Sequence, residues 1–355
     1  MIAHVDDVER IRRGVVNALP TDLSQLLPPP ELMPASAAVR AELKRFLGLL
    51  TDYPSRAGKG IRGRLLLLSA EAHGAQAGSS GAEAAQTLAE ALELFQNWVL
   101  VHDDIEDDSE ERRGQPALHH LTGMPVALNV GDAMHVAMWQ HLQRLPTGTA
   151  VQRAEALQEF GKMIMHTAAG QHLDLAWVNA RRFDVTEADY LAMVSLKTAY
   201  YTVVAPLRLG AWAAGVTPSP HLEEAGIDLG VAFQIRDDVL NLTAGTELGK
   251  EFAGDLYEGK RTLMLAHLLE HAPERDRQRA VTLLDRPRRA KRPEEMDEVL
   301  ALMQTHGSVD YAQGVAEQRL ERGLATLQAA LTPLPGRAAV ERMLALVGEL
   351  AARPS

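Results

Sequence analysis

Residues 88–101 read LAEALELFQNWVLV, and their apolar side chains recur at spacings of three and four. An α-helix of about 3.6 residues per turn places such positions on one face. In this stretch the positions on that face are Leu88, Ala91, Leu92, Phe95 and Val99. Similar spacing recurs along the chain, whereas alternating Val, Ile and Thr segments are scarce. The pattern predicts an almost entirely α-helical protein.

Proline and glycine divide the helical pattern into long segments. Loops are expected at 78–81, 146–148, 218–220 and 245–249. Pro20 and the run Pro28 to Pro30 indicate that residues 1–35 form an irregular N-terminal arm. No long linker or fixed repeat interrupts the chain. We therefore expect a single helical domain spanning residues 1–355.

Composition excludes several classes of protein. The chain has 355 residues, of which 46% are hydrophobic, so it has enough apolar material for a large core. It contains no cysteine, which rules out disulfide frameworks and thiolate metal sites. The N-terminus carries acidic residues and no signal-like apolar core, and no apolar run could span a bilayer. The expected protein is soluble, cytoplasmic and not inserted in a membrane.

Charge argues against nucleic acid as a partner. The formal net charge is −11, whereas proteins that neutralise nucleic-acid phosphates usually carry a basic excess. One Arg-rich run covers residues 275–293. We interpret this run as a solvated helix face, with RNA binding as the minor alternative. An acidic protein that binds an anionic ligand needs local cations or metal ions.

Residues 103–111, DDIEDDSEE, form a dense acidic run that directly follows the apolar helical stretch. Asp103 and Asp107 are one helical turn apart, and like charges at that spacing repel. A solvated acidic helix end is the ordinary interpretation of such a run. The alternative is a Mg²⁺ site, since this ion prefers carboxylate oxygens together with substrate phosphates.

A second acidic pair favours the metal interpretation. Asp237 and Asp238 interrupt the helical pattern FQIRDDVLNL at 233–242, with Asn241 as a third polar position. Two such patches on facing helices could hold several Mg²⁺ ions, which a diphosphate would bridge. The remaining phosphate oxygens would need cations near the loops. Candidates are Lys59, Arg62, Arg112, Arg113, Lys197, Lys250 and Lys260.

The motifs resemble those of the head-to-tail, trans-type polyprenyl diphosphate synthases, whose short-chain members make farnesyl and geranylgeranyl diphosphate. HDDIEDDSEERRGQPALH at 102–119 is similar to the family's first aspartate-rich motif with its Arg pair. The resemblance runs from about Gly58 to His267 and keeps the family's order. The later blocks are GQHLDL at 170–175, SLKTAYY at 195–201, FQIRDDVLNL at 233–242 and GKEFAGDLYEGKRT at 249–262.

The resemblance implies an all-α bundle of the isoprenoid synthase type, usually a homodimer, with a central apolar cavity. Mg²⁺, in three ions per active site, would be bound by Asp103, Asp104, Asp107, Asp237 and Asp238. The allylic diphosphate would meet Arg112, Lys197 and Lys260. Isopentenyl diphosphate would meet Lys59, Arg62, Arg113 and Gln96. Further substrate contacts are implied for Gln171 and Lys250, and Thr198 and Gln234 would face the developing allylic cation.

Two departures from the family pattern are visible. In GKGIRGR at 58–64, Gly60 stands in place of the usual Arg and Gly63 in place of the usual Pro. The second aspartate motif ends in Asn241, which can accept a hydrogen bond but brings no charge. Because Lys59 and Arg62 are kept, we retain the site and do not interpret Asn241 as inactivating.

The implied reaction joins isopentenyl diphosphate to dimethylallyl, geranyl or farnesyl diphosphate. Trp98, the fifth residue before the aspartate motif, is expected to form the floor of the cavity, with Val99 and Phe95 beside it. A large floor residue predicts a C15 to C20 product, and the small Val99 favours C20. Alternatives are a longer-chain synthase, a terpene cyclase and a non-catalytic partner subunit.

Overall fold

Helices account for most of the described chain in a computed structural model. The structure describes residues 2–56, 58–146, 150–243 and 253–351. The α-helices of these residues are α1 (Ile2–Ala18), α2 (Ala37–Ser55), α3 (Ile61–Ala72), α4 (Ser80–Glu106), α5 (Leu118–Thr122), α6 (Met124–Leu142), α7 (Ala150–Asn179), α8 (Glu187–Val194), α9 (Ala205–Ala213), α10 (Pro220–Thr243), α11 (Gly254–Glu258), α12 (Leu263–His271), α13 (Glu274–Leu284), α14 (Pro293–Thr305), α15 (Ser308–Leu331) and α16 (Arg337–Ala351). The all-α prediction is confirmed.

Three kinds of shorter element complete the described fold. Strands β1 (Glu111–Arg112) and β2 (Gln115–Pro116) pair antiparallel in a small hairpin. A π-helical segment, Ser195–Val204, joins α8 to α9. Two 3₁₀ turns lie at Leu23–Gln25 and Arg288–Ala290.

The N-terminal region is a correction to the sequence prediction. Instead of an irregular arm over 1–35, α1 occupies residues 2–18, and only residues 19–36 lack α-helix. Ile11, Val15 and Leu19 are buried and follow one another at helical spacing, so the apolar pattern already present before Pro20 decides the structure. Pro20 ends this pattern but does not prevent the helix that precedes it.

The core forms where long helices pack face to face. α4 contacts α3 and α6, whereas α10 contacts α15 and the π-helical segment. Phe95, Phe160, Tyr53 and Tyr190 are among the largest fully buried side chains. Burying an aromatic or aliphatic side chain of this size contributes about 1.5–3 kcal/mol. No helix of the described residues combines the length and apolar character required to cross a membrane.

Two glycines allow α7 and α10 to approach the π-helical segment closely. A Cβ on Gly170 would overlap the backbone of Lys197, and a Cβ on Gly230 would overlap the backbone of Ala199. Both glycines lie inside helices, where glycine costs about 0.5–1 kcal/mol relative to alanine. That cost is offset by close packing around the segment that carries Lys197 and Thr198.

Candidate active site

A cavity of about 700 Å³ lies among α4, α7, α10, α11 and the π-helical segment. Its lining combines carboxylates, cations and a large apolar wall. The predicted site residues among its lining are Phe95, Trp98, Val99, Asp103, Asp107, Arg112, Gln171, Lys197, Thr198, Gln234, Asp237, Asp238 and Lys260. The fold therefore brings both aspartate motifs to one cavity, although they are far apart in sequence.

Asp103 lies among cations at the C-terminal end of α4. Its Oδ1 accepts a hydrogen bond from Gln171 Nε2 at 3.2 Å, and Lys197 Nζ lies 3.8 Å from the same oxygen. Arg112 Nη2 donates to Oδ2 at 3.3 Å. Burial opposes ionisation, but Lys197, Lys260 and Arg112 outweigh it and lower the pKa of Asp103 to about 2. Asp103 is therefore a permanent anion facing the cavity.

Asp107 is the C-cap of α4, one turn beyond Asp103. Lys260 Nζ lies 3.0 Å from its Oδ2 and also contacts Glu258 and Asp255 of α11. Burial raises the pKa of Asp107 to about 7, with the negative charges of Asp103 and Glu258 adding to the effect against Lys260. Lys260 thus contacts three carboxylates, and although Arg288 also pairs with Glu258, negative charge remains in excess within this group.

The surroundings of Asp104 differ from those expected of a cavity-facing metal ligand. Its side chain is fully buried and does not line the cavity. Tyr53 Oη donates to Asp104 Oδ2 at 2.5 Å, and Arg112 Nε donates to Oδ1 at 2.8 Å. About 100° of helical rotation separates it from Asp103, so the two neighbours face different surroundings. With both oxygens engaged inside the protein, Asp104 positions Arg112, and this geometry does not fit direct metal binding.

The second aspartate motif lies on α10, with Asp237 and Asp238 both lining the cavity. Asp238 accepts hydrogen bonds from Tyr190 Oη at 2.8 Å and from Gln234 Nε2 at 2.7 Å. Burial and the charge of Asp255 raise the pKa of Asp238 to about 8. Thr198 Oγ1 in turn donates to Gln234 Oε1 at 2.9 Å. A hydrogen-bonded row therefore connects the π-helical segment to the second motif.

Asn241, the departure in this motif, lines the cavity and joins α10 to α11. Its side-chain oxygen accepts the backbone N–H of Asp255 at 3.2 Å, and its carbonyl accepts that of Ala253 at 2.9 Å. An amide oxygen makes this contact without adding another negative charge beside Asp238 and Asp255. Asn241 thus places α11, which ends just before Lys260.

Lys197 protrudes from the π-helical segment toward α7. Its Nζ donates to Asp174 Oδ2 at 2.5 Å. Burial opposes protonation, but Asp174 and Asp103 raise the pKa of Lys197 above its usual value. Lys197 is consequently a fixed cation between the two acidic groups.

A second basic group lies next to the cavity. The Arg62 guanidinium stacks 4.5 Å from the ring centre of Tyr201, a cavity residue, and donates to Thr202 Oγ1 at 3.1 Å. Arg113 Nη1 donates to the carbonyl of Tyr53 at 3.1 Å. Both charges act on half-buried Glu93, whose pKa is raised on balance because its desolvation outweighs the lowering by the two guanidiniums. Arg62 and Arg113 therefore belong to one basic group.

The remaining predicted members of this group lie around it. Lys59 is exposed and follows Gly58, which lies next to the Arg113 guanidinium. Gln96 is half-buried one turn after Glu93 on α4. None of Lys59, Arg62, Gln96 and Arg113 is among the residues lining the main cavity. Lys250 lies outside the described residues.

The two glycines that replace family residues have a structural reason. Gly60 has φ of 55°, a left-handed conformation that favours glycine, and it directly precedes α3. A Cβ on Gly63 would lie 2.9 Å from Ile11 Cδ1. Glycine at both positions lets α1 and the basic loop pack closely together.

An aromatic wall forms the apolar part of the cavity. Trp98 stacks on His135 at 4.0 Å between ring centres and meets Phe95 edge to face at 5.6 Å. Phe95 also contacts Tyr201 at 5.8 Å. Trp98, Val99 and Phe95 all line the cavity. Rigid side chains at this place would limit the length of a bound hydrocarbon.

Comparison with known proteins identifies the family. The model of the polyprenyl synthetase family matches residues 44–303. A short chain isoprenyl diphosphate synthase of Methanothermobacter thermautotrophicus is 37% identical over 73% of this chain and 76% of its own. A geranylgeranyl diphosphate synthase of Sulfolobus acidocaldarius is 32% identical over 79% and 84%.

This chain belongs to the polyprenyl synthetase family. Its fold is similar to that of geranylgeranyl pyrophosphate synthase from Corynebacterium glutamicum, solved in complex with isoprenyl diphosphate and magnesium. The TM-score is 0.80 at 26% identity, and the similarity covers 98% of this chain and all of that one. The synthase is thus a trans-prenyltransferase with the all-α fold predicted from its motifs.

The oxygen donors of this synthase fit the magnesium on which the family depends. Asp103, Asp107, Asp237 and Asp238 present carboxylates to one cavity, and hard oxygen ligands are those that Mg²⁺ prefers. Burial is the main cause of the raised pKa values of Asp107 and Asp238, and an excess of negative charge from neighbouring carboxylates adds to it. A divalent cation placed there would remove that excess.

Several residues of the synthase site were missed by the sequence analysis. Asp174, Asp255 and Glu258 lie in motif blocks that resemble the family, but their pairing with Lys197 and Lys260 requires the fold. Tyr53 and Tyr190 come from segments without a recognisable signal. Arg288 belongs to the Arg-rich run interpreted as a solvated face, yet it lines the cavity and its Nη1 donates to Glu258 at 3.1 Å.

Proposed function

We propose that this prenyltransferase condenses isopentenyl diphosphate with an allylic diphosphate to give a short all-trans product, preferably C20 geranylgeranyl diphosphate. The allylic partner would be dimethylallyl, geranyl or farnesyl diphosphate. The observation that carries the proposal is a cavity that one basic group lines, while a second basic group adjoins it through the ring of Tyr201. Lys197, Lys260 and Arg112 face its carboxylates, whereas Arg62 and Arg113 surround Glu93. Two groups suit two diphosphates.

The metal complement we propose is three Mg²⁺ per active site. Asp103 and Asp107 would hold two ions, and Asp237 with Asp238 beside it would hold the third. Gln171 orients Asp103 through its amide, and Tyr190 and Gln234 orient Asp238. Groups that orient a ligand in this way are usually needed for its affinity. When bound, Mg²⁺ supplies the positive charge that stabilises the departing diphosphate.

The chain's own cations would bind the allylic diphosphate and remain fixed as its carbon–oxygen bond breaks. Lys197 and Lys260 are held in place by carboxylates, so little reorganisation is needed when charge develops on the leaving group. The oxygens of Thr198 and Gln234, and the carbonyl of Lys197, would stabilise the allylic cation. The isopentenyl double bond then attacks that cation, and the released diphosphate accepts the proton that is lost. Trp98 and Phe95 would help to exclude water, which would trap the cation.

The product expected from this cavity is a short chain. The relatives named as short-chain and geranylgeranyl synthases support a C15 to C20 product. The aromatic pair Phe95 and Trp98, T-shaped across the cavity wall, favours a short product over a longer-chain one. A terpene cyclase would not need the second basic group around Glu93, and a non-catalytic subunit would not need both aspartate motifs.

A homodimer is the assembly that we propose, through α5 and α6. Large apolar side chains are exposed there, including Met124 at 57% and Val136 at 55%. Leu121 and Leu128 add to the same pair of helices. Exposed apolar surface of this kind marks protein contacts. Sedimentation should show a dimer that Leu128→Lys with Val136→Lys disrupts. Val39→Lys, at an exposed apolar position of α2, is the control.

One assay separates the competing functions. Purified protein with Mg²⁺ is given isopentenyl diphosphate alone, farnesyl diphosphate alone, or both, and diphosphate release is measured. The proposal requires release that depends on both substrates. Release from farnesyl diphosphate alone at an equal rate would indicate a cyclase, and no release in any mixture would indicate a non-catalytic subunit. The cytoplasmic location and the single-domain organisation stay predictions from the sequence.

A further inference from the structure

Three side chains of metal-ligand type meet near the hairpin that follows α4. Asp108 comes directly after the C-cap of α4, and His119 and His120 lie in α5. One ligand atom from each lies within 4.8 Å of the others. The β1–β2 hairpin reverses the chain between residues 108 and 119, which brings these positions together. None of the three has a role in the condensation derived above.

The surroundings of His119 indicate a bound ligand independently of how close the three side chains lie to one another. Only 8% of its side chain is exposed, and neither ring nitrogen has a hydrogen-bond partner among the described residues. Nε2 points toward Asp108 Oδ1 at 4.0 Å, which is beyond hydrogen-bonding distance. A buried polar group without a partner is unfavourable, and most buried polar groups have one. An ion between the rings and the carboxylate would satisfy this imidazole.

The donor set selects the class of ion. Two imidazoles and one carboxylate suit Zn²⁺ and its neighbours Co²⁺ and Ni²⁺, whereas Mg²⁺ prefers oxygen ligands alone. With Zn–ligand bonds of about 2.0–2.1 Å, tetrahedral ligand atoms lie about 3.4 Å apart. The present spacing must therefore shrink, and the half-exposed Asp108 and the exposed His120 have room to rotate inward.

Neighbouring charges define the rest of the site. Glu110 Oε2 lies 3.5 Å from His120 Nε2 and is positioned as a further donor. Arg289 Nη2 lies 3.8 Å from Asp108 Oδ2, and this largely exposed cation competes for the carboxylate. An ion with two positive charges and direct bonds would displace a solvated guanidinium at that distance.

We propose that Asp108, His119 and His120 bind a divalent transition-metal ion such as Zn²⁺, at a site separate from the magnesium carboxylates. The ion would tie α5 to the turn after α4. Arg112 and Arg113 lie between these two anchors, so the ion would stiffen the segment that carries both. The inference does not depend on which prenyl product is made.

Co²⁺ titration of the full chain tests the site by visible absorption. Excess Mg²⁺ and inorganic diphosphate are present so that the aspartate motifs hold magnesium. Bound Co²⁺ with imidazole ligands in a tetrahedral site absorbs far more strongly than Co²⁺ surrounded by oxygen. We expect saturable, intense absorption that Zn²⁺ abolishes by competition. His120→Ala and Asp108→Asn should each weaken Co²⁺ binding at least about tenfold, since loss of even an outer partner commonly costs 10- to 100-fold.

Two control variants locate the signal. His267 and His271 stack one turn apart on α12 and form another pair that could bind the ion. His221 pairs with Glu224 on an exposed part of α10. His271→Ala and His221→Ala should leave the Co²⁺ spectrum unchanged. His119→Ala should abolish it, and His120→Ala, at an exposed position, gives the answer if His119→Ala does not fold.

The thermal midpoint gives a second readout, because an ion that binds only the folded state raises it. Zn²⁺ should raise the midpoint of the wild type and not that of His120→Ala. The proposal is overturned if no intense absorption develops with Co²⁺, or if it survives in His120→Ala. It is also overturned if His271→Ala removes the absorption.

Discussion

At the scale of single residues, Asp103 and Asp104 are adjacent in sequence, but the first lines the cavity and the second is enclosed by protein. Asp103 faces the cavity among Gln171, Lys197 and Arg112. Asp104 is enclosed by Tyr53 and Arg112 and has no exposed side-chain surface. Removing the first should remove a proposed magnesium ligand, whereas removing the second should disturb Arg112, which donates to both carboxylates.

Asp103→Ala and Asp237→Ala should each lower kcat/KM roughly 10²-fold or more, as loss of an electrostatic stabiliser does in other enzymes. Folding should hardly change, because both carboxylates face the cavity. Steady-state kinetics and thermal midpoints measure the two effects. Asp310→Ala, an exposed position on α15, is the control. Near-normal turnover in both cavity variants would contradict the metal assignment.

The raised pKa of Asp238, about 8, makes metal-free stability depend on pH. Its unfolded value is about 3.9, so between these values the folded state binds more protons than the unfolded state. The free energy of unfolding should therefore fall as pH rises through neutrality. With EDTA, the wild type should lose more stability than Asp238→Asn between about pH 6.5 and 8, a window chosen above the usual pKa of about 6.5 for histidine.

Excess Mg²⁺ should reduce this difference, because the bound ion neutralises the same carboxylate. Thermal midpoints across the pH series, with and without Mg²⁺, provide the measurement. Identical slopes for the wild type and Asp238→Asn in EDTA would show that Asp238 keeps its ordinary pKa.

At the scale of elements, the hairpin separates two neighbouring arginines. Arg113 has φ of 56°, a left-handed conformation, and this turn sends Arg112 and Arg113 to different groups. Arg56, a buried residue, donates to the carbonyls of Arg112 and Pro116 and so holds both strands. A two-residue strand is too short to show alternation, so the hairpin could not be read from the sequence.

The substitution Arg113→Ala should raise KM for isopentenyl diphosphate, while Arg112→Ala should mainly lower kcat or weaken the allylic substrate. The reason is that Arg112 contacts Asp103 and Asp104, whereas Arg113 lies beside Glu93 and Gly58. Kinetic constants for each substrate decide the matter. Equal effects of both variants on one substrate would show that the pair is not divided in this way.

Trp98 on α4 should set product length, because its ring stands in the cavity against His135 and Phe95. Trp98→Ala should give chains of C25 or longer from the same substrates, with products extracted and sized by mass spectrometry. Trp212→Ala removes an equal volume on α9, away from the cavity lining, and should leave product length unchanged. An active Trp98→Ala with unchanged product length would place the length control elsewhere.

At the scale of the whole molecule, helical periodicity and the order of the motifs made it possible to predict helices and a shared cavity from the sequence. The apolar stretch at 88–101 indicated α4, and the two aspartate motifs indicated one shared cavity. The pairing of Lys197 with Asp174 and the place of Arg288 depend on contacts between distant segments. The π-helical segment has the same apolar spacing as an α-helix over a few residues, so its type was not predictable.

The net charge of −11 likewise does not predict which distant segments come together in the fold. Composition shows that the protein is acidic, but it does not predict where Lys and Arg side chains lie close together in the fold. Lys197, Lys260 and Arg112 meet at the cavity only because α4, α11 and the π-helical segment converge there. A local concentration of cations within an acidic chain is what a diphosphate requires.

The most direct test of the account is the product made from isotope-labelled isopentenyl diphosphate and farnesyl diphosphate with Mg²⁺. We expect labelled all-trans geranylgeranyl diphosphate, identified by mass spectrometry and by chromatography against a standard. Formation should stop when Mg²⁺ is removed with EDTA and in Asp103→Ala. A folded, magnesium-loaded protein that places no label in any elongated prenyl diphosphate would contradict the account.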